Sequence, residues 1–153
     1  MAGYSGTPLP KKLGIKPGAR LGLCQPPARF DQTLGELPQG VTAGPVGRGR
    51  AGARFDVIIC FARSSRDLAR DLPPLPGRLD PAGGLWIAWP KKAKTKSAAK
   101  TSRLATDLTE AEVRARGLAT GLVDDKVCAI DDTWSGLRFV VRLADRATIR
   151  TKK

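Results

Sequence analysis

Asp131 and Asp132 are adjacent carboxylates at the end of a predicted strand. Such a pair can hold a divalent cation or shuttle protons. Aspartate before a hairpin also serves to initiate a turn, and that reading carries more weight. Lys91-Lys92, after another predicted strand, suits a phosphate or carboxylate; a solvated pair explains it too. The chain has no histidine, so Ser-His and Cys-His nucleophile pairs and His-metal sites are excluded. Cys24, Cys60 and Cys128 stand far apart in apolar runs, with no C-x-x-C pair. Free cysteine behaves as a small hydrophobe, and all three read as core. No catalytic residue, metal site or cofactor is assigned on this basis.

Gly47-Arg48-Gly49-Arg50-Ala51-Gly52 matches G-x-G-x-x-G. A dinucleotide site needs this motif after a strand and before a helix. Here it precedes the strand Phe55 to Ala62, so it reads as a glycine loop.

The elements that must position these groups follow from periodicity and punctuation. Thr7 to Gly14 predicts a short helix, with Thr7 as cap, Pro8 at the first position and Gly14 at the exit. Ala19 to Cys24 reads as a strand stopped by Pro26-Pro27. Phe30, Leu34 and Leu37 have helical spacing, and Val41 to Val46 predicts a short strand. Phe55 to Ala62 is nearly all apolar, as in a strand covered on both faces. Ser64 and Ser65 are candidate caps for a helix carrying Leu68 and Leu72, which Pro73, Pro74 and Pro76 end.

Leu79 to Gly84 reads as a turn into the strand Gly83 to Pro90. Trp86 and Trp89 there face opposite sides; Trp89 could floor a crevice or pack against a helix. Thr109-Glu110-Ala111-Glu112 is a capping box, with Leu108 and Val113 at the staple positions. Gly117 is the expected helix exit. Lys126 to Ile130 and Leu137 to Leu143 predict a hairpin joined by Asp131 to Gly136, with Trp134 on the turn.

This order argues for a three-layer α/β domain, with a mainly parallel sheet and an antiparallel C-terminal hairpin. One domain spans 1–145, with a basic mobile loop at about 91–105 and a basic tail at 146–153. Ligands of such a sheet bind beyond the carboxyl ends of the strands. The candidate crevice is therefore Gln25, Arg63, Ser64, Trp89, Lys91, Lys92, Asp131, Trp134 and Ser135.

There are 27 Lys+Arg against 14 Asp+Glu, a net charge of +13. Six of the positive charges lie between Lys91 and Arg103. A basic surface attracts polyanions, so nucleic acid is a candidate partner through that segment; a solvated surface is the simpler account. No run approaches the roughly 18 apolar residues of a membrane span, and no secretory signal is visible. The expected compartment is the cytosol, with no membrane partner.

Lys16-Pro17-Gly18-Ala19-Arg20-Leu21, Phe55-Asp56-Val57-Ile58-Ile59 and Leu79-Asp80-Pro81-Ala82-Gly83-Gly84-Leu85-Trp86 resemble strand openings of S-adenosylmethionine-dependent methyltransferases. In that family a glycine-rich loop follows the first strand, and an acidic residue ends the second. Here Gln25-Pro26-Pro27 follows Cys24, no acid lies near Val46, and one βα unit is missing. The phrases Gly3-Tyr4-Ser5-Gly6-Thr7-Pro8-Leu9, Trp89-Pro90-Lys91-Lys92, Thr106-Asp107-Leu108-Thr109-Glu110 and Lys126-Val127-Cys128-Ala129-Ile130-Asp131 resemble the bacterial family of domain of unknown function 3052. So do Gly121-Leu122-Val123-Asp124 and Trp134-Ser135-Gly136-Leu137. That resemblance implies a small cytosolic bacterial protein and supplies no active-site residues. The combined expectation is a non-catalytic, methyltransferase-like module for a small ligand or protein partner. The alternatives are a nucleic-acid-associated basic protein and a methyltransferase with a degenerate cofactor loop.

Overall fold

The computed structural model describes residues 8–46, 54–91, 108–131 and 133–142. The G-x-G-x-x-G stretch, Thr7, Asp132, the basic run from Lys92 to Arg103 and the C-terminal tail lie outside the described residues.

Alternation along two strands builds the centre. On β3 (Phe55–Phe61), Val57, Ile59 and Phe61 enter one core, while Ile58 and Cys60 enter the other. β4 (Leu79–Pro90) repeats the pattern, with Trp86 and Ala88 on one side and Leu85, Ile87 and Trp89 on the other. Successive strand side chains point to opposite faces, and both faces are apolar because both are covered.

β3 and β4 pair in parallel, with Ile58 opposite Leu85. β1 (Arg20–Cys24) lies parallel to β3, with Leu21 opposite Val57. β2 (Thr42–Pro45) lies parallel to β1 at one edge. Across β4, β6 (Trp134–Val140) runs antiparallel. β5 (Val123–Ala129) pairs antiparallel with β6 at the far edge, with a register shift between Asp124 and Lys126. The order is β2-β1-β3-β4-β6-β5, the mainly parallel sheet with an antiparallel hairpin that the sequence predicts.

Among the described residues two helices cover each face. α1 (Leu9–Lys12) and α2 (Phe30–Leu34) lie on the Trp86 side, where Leu13, Ile15, Phe30 and Leu34 join its core. α3 (Ser65–Asp71) and α4 (Glu110–Ala119) cover the other side through Leu68 and Val113. The predicted caps form: Ser64 Oγ accepts from Asp67 N at 3.1 Å, and Thr109 Oγ1 accepts from Glu112 N at 3.1 Å. Trp86 is fully buried and donates its indole N–H to Leu13 O at 2.9 Å, which ties the exit of α1 to the sheet.

Several boundaries differ from the sequence reading. Pro8 is the N-cap of α1 and the helix begins at Leu9, one place later than expected. α2 stops at Leu34, because Gly35 turns left-handed with φ 75°; Leu37 packs on the core from the loop beyond. Leu79 to Gly84 is not a turn but the first half of β4. Gly83 serves a close approach there, since a Cβ would strike the Asp56 carbonyl of β3. Gly117 is not the helix exit either. It sits inside α4, where a Cβ would overlap the Phe139 ring, and the chain leaves the helix at Gly121 with φ 95°. Cys128 is half-buried rather than core, while Cys24 and Cys60 are buried.

At the opposite end from the strand carboxyl termini, Arg20 clamps Asp56. Its backbone N and Nε donate to Asp56 Oδ2 at 2.8 and 3.2 Å, and Nη2 donates to Oδ1 at 3.2 Å. This hydrogen bonding holds the Asp56 carboxyl below its ordinary value. A depressed folded-state value stabilises above the unfolded value, near 3.9, and that gain is lost as pH falls through the folded one.

Two outcomes are expected. Gly117→Ala gains about 1 kcal/mol of helix propensity but overpacks against Phe139, which costs about 1–3 kcal/mol. A lower urea midpoint is expected, and an unchanged or higher one would contradict the packing. Asp56→Asn is expected to be less stable than the parent at pH 7 and to lose less on acidification to pH 3. Parallel urea titrations at the two pH values check it.

Candidate functional site

β1, β2, β3 and β4 run in one direction, so their carboxyl ends share one edge with the end of β5 and the start of β6. The chain steps from β1 outward to β2, then crosses β1 to reach β3. The gap between the ends of β1 and β3 is therefore the switch point where ligands of open α/β sheets bind.

Arg63 spans that gap. It follows β3, and its Nη1 donates to Gln25 O, just after β1, at 3.3 Å. Its backbone N donates to Asp67 Oδ2 at 3.2 Å, which holds the turn into α3. Its guanidinium lies 5.3 Å from the Trp134 ring centroid, a cation–π distance. Trp134 stands edge-on to Phe61 at 5.0 Å, and Phe61 edge-on to Phe30 at 4.7 Å. The cation thus caps an aromatic column that rises from the core. Gln25 takes a left-handed backbone, φ 54°, uncommon for a residue with a side chain.

The nine sequence candidates separate. Gln25, Arg63, Ser64 and Trp134 come together around the switch point. Trp134 is not on the turn: it opens β6 and is 2% exposed. Trp89 packs into the core shared with α3 and α4, so helix packing is its role. Ser135 pairs opposite Trp89 in the β4–β6 ladder. Asp131 Oδ1 accepts from Thr133 N and Trp134 N, both at 2.8 Å; this is a turn-forming aspartate. Lys91 N donates to Thr133 O at 2.8 Å, closing β4 onto the hairpin. Lys92 lies outside the described residues, as does Asp132. Among the described residues no group of three or more Asp, Glu or Cys is placed to hold a metal ion.

Sequence reasoning missed Phe30, Phe61 and Asp67 as partners of the site. Phe61 was legible as core, but nothing in its spacing pointed to the cation above it.

Cys24 and Cys60 lie opposite each other on β1 and β3. Contact with Cys24, then burial, pushes the Cys60 thiol well up. A protonated thiol is a poor nucleophile, so this pair fills space.

No family model matches the sequence, and no curated protein matches it significantly. Solved structures do resemble the fold. Magnesium protoporphyrin IX methyltransferase (ChlM) from Synechocystis PCC 6803, with bound SAH, aligns at 13% identity with a TM-score of 0.57, covering 88% of this chain and 78% of that one. A complex of DhpI with SAH aligns at 11% identity with a TM-score of 0.58, covering 89% and 83%. LepI with SAM aligns at 10% identity with a TM-score of 0.51, covering 88% of this chain and 39% of that one. At these identities the likeness establishes the fold: a Rossmann-like sheet of the methyltransferase type.

The residues beyond the strands do not fit a methyltransferase cofactor. Pro26 and Pro27 follow β1 without backbone N–H groups, where a nucleotide needs a backbone cradle. β2 ends at Pro45, and neither it nor Val46 carries a carboxylate for a ribose; the carboxylate that lines the cleft beyond, Asp71, is engaged by Arg70. The cleft beyond β1 and β2, between Gln25, Val46, Asp71 and Leu75, holds 270 Å3. That falls below the ~300–1,000 Å3 of ordinary ligand sites.

Trp86, Trp89 and Trp134 are all buried, so acrylamide is expected to quench the parent weakly. Arg63→Ala uncovers Trp134 and is expected to raise quenching, and adding Trp134→Phe removes the gain. Equal quenching in parent and Arg63→Ala would show that Arg63 does not shield the ring.

Proposed function

We propose that this protein is a non-catalytic methyltransferase-like module that binds a small ligand or a protein partner. The observation that carries this reading is the Arg63 guanidinium laid across the β1–β3 switch point and bonded to Gln25 O. A cofactor entering there would have to displace it from both the carbonyl and the Trp134 face. Gln25, Arg63, Ser64 and Trp134 form the crevice in this reading. Lys91, Asp131 and Ser135 flank it, and Trp89 supports it from the core; Lys92, outside the described residues, belongs to the same proposal.

The sequence phrases that resemble the family of domain of unknown function 3052 support membership of that bacterial family. One α/β domain over 1–145, its basic loop at about 91–105, the basic tail and a cytosolic setting belong to the same proposal. Among the described residues no helix is long and apolar enough to cross a membrane.

A polyanion is the second reading, favoured by the net charge of +13. Nucleic-acid binding would weaken steeply with added salt, since neutralised phosphates release counterions; recognition of an uncharged partner would not.

Calorimetric titration with S-adenosylmethionine, up to millimolar, tests the first reading. No heat of binding is expected from the parent. Saturable binding to the parent at one site would overturn the non-catalytic reading and favour the methyltransferase alternative. Binding gained only in Arg63→Ala would identify that side chain as the barrier.

A further inference from the structure

Among the described residues the two faces of the sheet are covered unequally. α3 and α4 run for seven and ten residues on one side. On the Trp86 side, α1 and α2 run for four and five. Helices that short cannot roof a six-stranded sheet, and a groove of 980 Å3 opens between them.

Its composition is uneven as well. Leu9, Pro10, Ile15, Leu34, Leu37 and Ile130 give it an apolar interior. Its α1 rim carries Lys11, Lys12 and Lys16, and Glu36 on the α2 side is the one carboxylate among the described lining residues. Lys12 is engaged with Ala129 O at 3.5 Å. Lys11 and Lys16 are exposed at the mouth. The volume lies at the upper end of small-molecule sites, ~300–1,000 Å3.

We propose that the α1–α2 groove binds an anionic amphiphile, with its apolar chain against the half-buried Leu9 and Leu37 and its head group between Lys11 and Lys16. An ammonium and an anion make a charge-assisted hydrogen bond, and the half-buried apolar walls return free energy for each methylene removed from water. A neutral chain would leave the two ammoniums unused, and a short polar anion would leave Leu9 and Leu37 wet. A carboxylate and a phosphate monoester share the required head-group chemistry. The inference goes beyond the closed switch point and does not depend on it: a bound cofactor at the β1–β3 gap would leave this groove as it is.

The test is fluorescence of cis-parinaric acid, an 18-carbon polyene carboxylate, added to the full-length protein below its aggregation threshold. Saturable binding at one site per chain is expected. Displacement by palmitate and by hexadecyl phosphate then separates the two head groups, the tighter competitor naming the class. Hexadecanol is expected to compete at least about tenfold less well, the value of two exposed ion pairs. Lys11→Glu with Lys16→Glu, both surface changes, is expected to weaken the probe about tenfold with an unchanged thermal midpoint. Leu37→Glu in the wall is expected to abolish binding. Equal competition by hexadecanol, or unchanged affinity in the double lysine variant, overturns the proposal. No probe uptake at all also overturns it and leaves the groove to residues 1–7 of the chain or to a second copy.

Discussion

One buried hydrogen bond anchors the side of the molecule that carries most of its distinctive features. Trp86 lies at the middle of the sheet with no exposure, and its indole N–H has a single acceptor, the carbonyl of Leu13. Leaving such a donor unpaired in the interior costs about 1–3 kcal/mol. The chain after α1 is therefore fixed against β4 at one point, 73 residues away in sequence. The ring also needs room on the neighbouring strand. Gly136 supplies it, since a Cβ there would press on both Trp86 and Ile130. A large residue at one position and none at the other are two parts of one packing solution.

From that anchor the two ends of the sheet acquire different characters. At the amino ends of the parallel strands, Arg20 joins Asp56 and stands near Asp80, an ion-pair cluster that ties β1, β3 and β4 together. At the carboxyl ends, Arg63 does something different: it is held by a carbonyl and an aromatic face instead of a carboxylate. Among the described residues no carboxylate pairs with its guanidinium, at the very place where open α/β sheets receive ligands. The methyltransferase-type sheet fixes where a site would be, but shared architecture does not dictate what the site does.

Much of this was legible in the order of residues. The apolar run from Phe55 to Ala62 announced a strand buried on both faces, and the threonine and glutamate at 109 and 112 announced a helix start. Both signals are local, set by periodicity and by one side-chain-to-backbone bond. Glycine was misread where its reason was distant. Gly83 and Gly117 look like turn residues in sequence, yet each is small to make room for a group on another strand. Trp134 was misplaced for the same kind of reason. Next to aspartates it looks like a loop aromatic, and only the stacking of Phe30, Phe61 and Arg63 explains why it turns inward. The crevice itself was half visible: strand ends nominated Gln25 and Arg63 separately, but that one bridges to the other is a fact of three dimensions.

The two edges of the sheet carry a further meaning. β2 is four residues long and finishes on Pro45, which has no N–H to offer another strand. β5 exposes Asp125 and Lys126, with one apolar neighbour in Val127, and breaks register between Asp124 and Lys126. Neither rim presents a long, flat, apolar template of the kind that lets sheets grow from one molecule into the next. Fibrous self-association through these borders is disfavoured by construction, so at high concentration the colloidal behaviour of the molecule is left to its excess positive charge.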